Sequence, residues 1–386
     1  MRTIDIFAEA DAEALPGRQL AAIKEAAPAF HDWFEGAGKV HAVHTFDLVG
    51  LPYPTEYALF RAHSQIASPF VRITNRFLVV QFEDTDGILR TMLVGPTDVD
   101  LAENTAYFET LGQKLPGAVQ SVVVKRHRSV REHLADVGLR PEDVDYLTFD
   151  HLHTQDIRRW LGTTEPQPDL AARGLAPADE PLEPFFPNAT LLIMRREWEQ
   201  FPGEHPLQRR WFQGDTYGAV RTDRIELLDN DVLLGPGVAL VNTPGHTVGN
   251  HSIVLNTTSG VWTSSENGMM PEAYDPAASN IPGLSGYAAE TGFEVVLNSN
   301  TPESSGVQYN SMVKEKLIAG RGGPTGETVQ HFCSSEMSSW WFSQRTGPGH
   351  TFGAITDGTL NLTPKATTPS PQRARAARKR SNAGVS

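Results

Sequence analysis

The chain has one cysteine, Cys333, in 386 residues. A lone thiol excludes an internal disulfide and any thiolate metal cluster. No activating neighbour marks it as a nucleophile, so it reads as a small buried hydrophobe. Long apolar runs are also missing: no stretch approaches the roughly 18–20 apolar residues of a membrane span. The start, Met1-Arg2-Thr3-Ile4-Asp5-Ile6-Phe7, leads into acidic positions and lacks the apolar core of a secretory signal. A cytoplasmic protein is therefore expected. Basic charge is scarce: 33 Lys and Arg stand against 46 Asp and Glu, a formal net charge of −13. Such a body is a poor partner for nucleic acid or an anionic membrane. The exception is residues 363–386, where Lys365, Arg373, Arg375, Arg378, Lys379 and Arg380 meet no acidic residue. With almost no apolar bulk, that segment is expected to be a disordered, solvated tail.

What is present fits a globular protein with a sizeable core: 39% hydrophobic and 20% charged residues. Residues 5–35 carry helical spacing at Leu20, Ile23 and Ala27. Residues 40–94 turn to β-rich runs, with the acidic Glu83-Asp84-Thr85-Asp86-Gly87 turn joining two strands in a hairpin. Ser129 is placed to cap a helix over 130–137 that Gly138 stops. A turn and a short buried strand over 141–149 follow. Residues 162–187, rich in Pro, Ala and acidic residues, read as a long loop or lid. Strands are expected over 190–194, 232–234, 238–242, 252–255 and 260–263, and a helix over 309–319. Trp340, Trp341 and Phe342 form an aromatic cluster that reads as core or pocket lining.

The chemistry is concentrated in two segments. The first is Asp150-His151-Leu152-His153-Thr154-Gln155-Asp156, and the second is Thr243-Pro244-Gly245-His246-Thr247. Two histidines one residue apart on a strand-end loop can converge on one metal ion. A third, from a distant Gly-containing turn, can complete the face. Three neutral imidazoles with coordination positions left over suit a catalytic metal rather than a closed structural one. His251, five residues after His246, reads as structural. His41 and His44 lie in a β-like run, where a spacing of three points to opposite faces.

Taken together with their order, these segments resemble the metallo-β-lactamase-fold hydrolases, and within them the lactonase-like and esterase-like branch. The resemblance rests on the run from Gly138 to His153, on Phe186-Pro187-Asn188-Ala189 with Glu197-Trp198, on the segment from Thr243 to Ser252, and on Val261-Trp262-Thr263-Ser264-Ser265-Glu266. It spans roughly residues 70–345. It implies an α/β fold, a four-layer αββα sandwich with a metal site at one edge of two packed sheets. The family's first motif, His-x-His-x-Asp-His, is altered here: Gln155 stands for the Asp and Asp156 for the second-site His. Glu266 stands where the family has its bridging Asp, and His331 takes the place of its last His.

The resemblance implies a first site of His151, His153 and His246, and a second of Asp156, Glu266 and His331. The cofactor expected is a divalent metal, zinc in one or two ions, with Mn or Fe favoured if the second site is as rich in oxygen as this set. Asp156 is the expected proton shuttle and Tyr274 the expected oxyanion donor. The function implied is attack by metal-activated water on a small ester, lactone or thioester. An iron-dependent oxidoreductase on the same fold and a non-catalytic binding protein on a decayed scaffold are the competing classes. The expected organisation is an N-terminal extension over residues 1–70, packing on the main domain or making a homodimer contact. A main domain over 71–362 and the basic tail follow. The expected partner is a small-molecule substrate, not a membrane or nucleic acid.

Overall fold

The structure is a computed structural model, and it describes residues 1–66, 68–114, 123–322, 326–338 and 347–364. Residues 365–386 of the basic tail and the aromatic cluster at 340–342 lie outside them. No helix among the described residues is long and apolar enough to cross a membrane.

Two sheets form the frame. The larger has nine strands. Its main path runs β16 (Thr356–Gly358), β2 (Ala42–Pro54), β3 (Phe70–Glu83), β4 (Leu89–Val94), β6 (Tyr146–Thr148), β7 (Thr190–Met194) and β8 (Ile225–Leu228). β5 (Lys125–Arg126) pairs with β2, and β15 (Ser335–Ser338) with β3. The β4–β6–β7–β8 part is parallel. The smaller sheet is antiparallel, in the order β1 (Arg2–Thr3), β9 (Val232–Gly235), β10 (Val238–Asn242), β11 (His251–Thr257) and β12 (Gly260–Ser264). A separate two-stranded ribbon pairs β13 (Arg321–Gly322) with β14 (Thr328–Val329).

The two-residue period of a strand sets the layers. Val80, Phe82 and Met92 point to one face of the large sheet and pack against Leu240, Ile253 and Leu255 of the small one. Their neighbours point the other way. Val79 and Leu93 pack with Val130 and Leu134 of the helix Val130–Val137. Val241 and Val254 pack with Phe30 and Phe34 of the helix Pro16–Glu35. Both faces of both sheets are thus covered, which is why the strands read as nearly continuous apolar runs. The result is the four-layer αββα sandwich. The helix Val130–Val137 begins and ends as its sequence signals: Ser129 and Glu132 form a reciprocal cap, and Gly138 takes a left-handed turn at φ 81°.

The expected N-terminal extension is corrected in one respect. β2 pairs along nearly its whole length with β3 and lies inside the large sheet, so residue 70 marks no boundary. β1 likewise adds an edge to the small sheet. The alternation in residues 40–94 signalled strands, but not which sheet they join.

Candidate metal centre

Three loops at one edge of the sandwich carry the site. One follows β6 and holds Asp150 to Asp156, one links β10 to β11 and holds His246, and one follows β12 and holds Glu266. The structure brings His151, His153 and His246 together. One ligating atom from each lies within 4.8 Å of the others, and no other such group of three occurs among the described residues. All three rings are buried, with centroids 4.5–4.9 Å apart.

Neighbouring oxygens orient two of the rings. His151 Nδ1 lies 3.2 Å from Asp150 Oδ2, and His246 Nδ1 lies 3.4 Å from the Asn298 carbonyl. An N–H at each of these positions leaves Nε2 as the lone-pair atom. His153 Nδ1 lies 3.1 Å from His246 Nε2. Burial, and then the charge of His151, hold His153 and His246 well below the ordinary imidazole range. Both rings are held toward the neutral form, and the two nitrogens that approach one another can share a proton or turn toward a common metal ion. His153 Nε2 is buried with no hydrogen-bond partner, so its ring is oriented only by the contact through Nδ1. The donor set therefore fits a divalent metal such as zinc. Burial opposes charging of His151, but Asp150 outweighs it and draws the imidazole upward.

Glu197 ties the two ligand loops into one body. Its Oε1 accepts from the N–H of Leu152, between the first two histidines, at 2.8 Å. Its Oε2 accepts from Thr247 Oγ1 at 2.6 Å and from Gly249 N at 3.2 Å, beside the third. The side chain is fully buried. Two glycines make the approach possible. A Cβ on Gly249 would stand 2.2 Å from Glu197 N, and one on Gly245, at φ 144°, 2.2 Å from Gln308 Cα. Asn267 Oδ1 accepts from His246 N at 3.1 Å and holds the turn from behind. Thr154, next to His153, sits at φ 63°, which is strained for a β-branched residue. Its N–H donates to Trp211 O at 2.6 Å.

The histidines lie at the base of a cavity of about 400 Å³. Val49, Leu51, Ile73, Phe149, Tyr107 and Trp211 contribute apolar wall, while Asp150, Gln155 and Glu266 add polar groups near the histidines. Glu266 is pushed up to about 7 by burial and by the charge of Asp150. Its Oε2 accepts from Ser334 Oγ, which also lies 3.4 Å from Asp150 Oδ2.

Three expected site residues are placed elsewhere. Both oxygens of Asp156 accept from Arg158, including Nη2 at 2.6 Å, so this carboxylate is the partner of a guanidinium and lies outside the cavity lining. His331 spends both ring nitrogens, Nδ1 on Thr263 Oγ1 at 2.8 Å and Nε2 on Tyr274 OH at 2.9 Å. Tyr274 OH in turn donates to Glu315 Oε2 at 2.8 Å, and the ring is fully buried away from the cavity lining. Gln155 donates to Thr97 Oγ1 at 3.0 Å. His251 accepts a structural role, with Nε2 3.0 Å from Thr148 Oγ1. Sequence reasoning gave Asp150 no role although it adjoins His151, and it counted Glu197 only toward the resemblance, not as the residue that joins the two ligand loops.

No protein-family model matches the chain, and no curated protein matches it. Solved structures resemble it at low identity. A dizinc quorum-quenching lactonase in complex with the product N-hexanoyl-L-homoserine is 11% identical over 84% of this chain and 96% of its own, with a TM-score of 0.46. A hydrolase of the beta-lactamase superfamily is 12% identical over 85% and 99%, with a TM-score of 0.43. A probable metal-dependent hydrolase from Staphylococcus aureus is 13% identical over 72% and 84%, with a TM-score of 0.44.

Proposed function

We propose that this protein is a metal-dependent hydrolase of a small carboxylic ester, lactone or thioester. The observation that carries the proposal is the convergence of three buried imidazoles, two of them held neutral, at the base of a largely apolar cavity. His151 and His246 would hold the metal through Nε2 and His153 through Nδ1, with zinc the first choice for an all-imidazole set. When bound, the metal supplies Lewis acidity to water and to a carbonyl at neutral pH.

The chain's own groups do the rest. Asp150 orients His151 and strengthens it as a donor. Glu266, at the cavity wall and outside the three-His group, is the carboxyl placed to hold a proton beside the reacting carbonyl, the role expected of Asp156. Leu51, Ile73 and Phe149 shed water from the cavity and favour an apolar acyl arm. Iron chemistry drew its support from a second site rich in carboxylates, and the engagement of Asp156 by Arg158 removes that support.

A panel of aryl esters, lactones and thioesters of graded acyl length tests the reading. Chelator-sensitive turnover that improves with acyl length is the expected result. Metal-loaded protein that turns over none of the three classes would send the site to the non-catalytic reading.

A further inference from the structure

The two-metal arrangement that the sequence resemblance implies needs a second set of donors beside the three histidines. The residues at those positions are committed to other partners. Asp156 Oδ1 accepts from Arg158 N at 3.1 Å and Nε at 3.0 Å, and Oδ2 from Nη2 at 2.6 Å. The same guanidinium continues to Asp169, through Nη1 at 3.0 Å and Nη2 at 2.8 Å, and to Gln167 Oε1 at 2.7 Å. The Arg158 side chain is 5% exposed and that of Asp156 0%. A metal ion could take Asp156 only by stripping a buried guanidinium of its closest counter-charge, which is strongly unfavourable. At the other position, His331 has no free nitrogen, and its ring stacks on Tyr274 with centroids 4.0 Å apart. Gln155 is a neutral amide already bonded to Thr97. Of the implied second set, only Glu266 reaches the cavity, and one carboxylate does not make a site.

We infer that this centre holds a single metal ion per chain, because Arg158 and not a second ion is the cation that pairs with Asp156. A guanidinium holds such a carboxylate well, because it presents its charge as a bidentate fork. The inference rests on the proposed metal site and changes what that site can do. One ion leaves orientation and proton handling to Asp150 and Glu266, with no second ion to bridge a nucleophile.

Metal stoichiometry tests this without any substrate. The full chain is purified without chelator, saturated with zinc, freed of excess by gel filtration and analysed by elemental analysis. The His246→Ala, His331→Gln and Asp156→Asn variants are treated alike, and circular dichroism checks that each is folded. The expected result is one zinc per chain, lost in His246→Ala and kept in His331→Gln and Asp156→Asn. Two zinc ions per wild-type chain would overturn the inference and leave the hydrolase reading intact. So would loss of zinc from folded His331→Gln or Asp156→Asn. No zinc in the wild type would overturn both. The wild-type count decides the matter even if a variant fails to fold.

Discussion

At the scale of single residues, the site depends on a carboxylate that touches no substrate. Glu197 is buried and accepts three hydrogen bonds from the two ligand loops. Glu197→Ala would leave the N–H groups of Leu152 and Gly249 unsatisfied in the interior. Its expected cost is about 3 kcal/mol in urea unfolding. Metal affinity should fall by about 10- to 100-fold, as for other groups that orient ligands, and a competition titration with a chromogenic chelator reads this. Unchanged unfolding and unchanged affinity would deny Glu197 its clamping role. The three histidines were legible in the sequence because their spacing is local and chemically specific. Asp156, Tyr274 and His331 are placed apart from the three histidines, because motif position says nothing of competing partners. Arg158, two residues on, claims Asp156, and Tyr274 and His331 claim each other. Glu197 had no local signal as a clamp, because the groups it holds are distant in sequence and its role exists only in the folded chain.

At the scale of elements, the turn that presents His246 is the tightest part of the site. Gly249→Ala would drive a Cβ to 2.2 Å from the backbone nitrogen of Glu197, with no flexible side chain to yield. A loss of about 3 kcal/mol is expected, seen as a lower midpoint in thermal unfolding. Gly286 is the internal comparison. It lies within the helix Leu284–Thr291, and a Cβ there meets nothing within 4 Å. Gly286→Ala should instead raise stability by up to about 1 kcal/mol, through helix propensity and a less flexible unfolded chain. Equal effects of the two substitutions would show that the close approach at Gly249 does not constrain the turn. Elements were legible wherever their boundaries are chemical, as with Ser129, Glu132 and Gly138 around one helix. The region over 5–35 read as mainly helix, and the structure divides it into Ala8–Ala12 and Pro16–Glu35. Pro16 begins the second, as a residue without an N–H suits a first turn.

For the whole molecule, the two sheets and their helical covers follow from strands that are apolar on both faces. Which strand joins which sheet did not, because pairing is set by contacts between residues far apart in sequence. The same long-range packing buries charges remote from the metal centre. Asp231 lies 3.5 Å from Lys314, with both side chains 2% exposed. Burial pushes the Asp231 carboxyl up to about 6, from an ordinary value of about 3.9. Between those pH values the folded state keeps a proton that the unfolded chain has released. Its contribution is therefore fully present below about pH 4 and is lost as pH rises through about 6, worth about 3 kcal/mol at most. In Asp231→Asn the slope of unfolding free energy against pH across that window should flatten, whatever its overall stability. An identical slope in the variant would show that Asp231 titrates normally in the folded state.

The central claim, that the three buried histidines form a hydrolytic metal centre, is tested most directly by activity lost and restored. The chain is stripped with a chelator, dialysed and assayed on its best ester or lactone before and after one equivalent of zinc, beside His246→Ala. The wild type should recover at least about 100-fold in rate on zinc addition, and the variant should not. A rate indifferent to zinc, or equal in the His246→Ala variant, would contradict it.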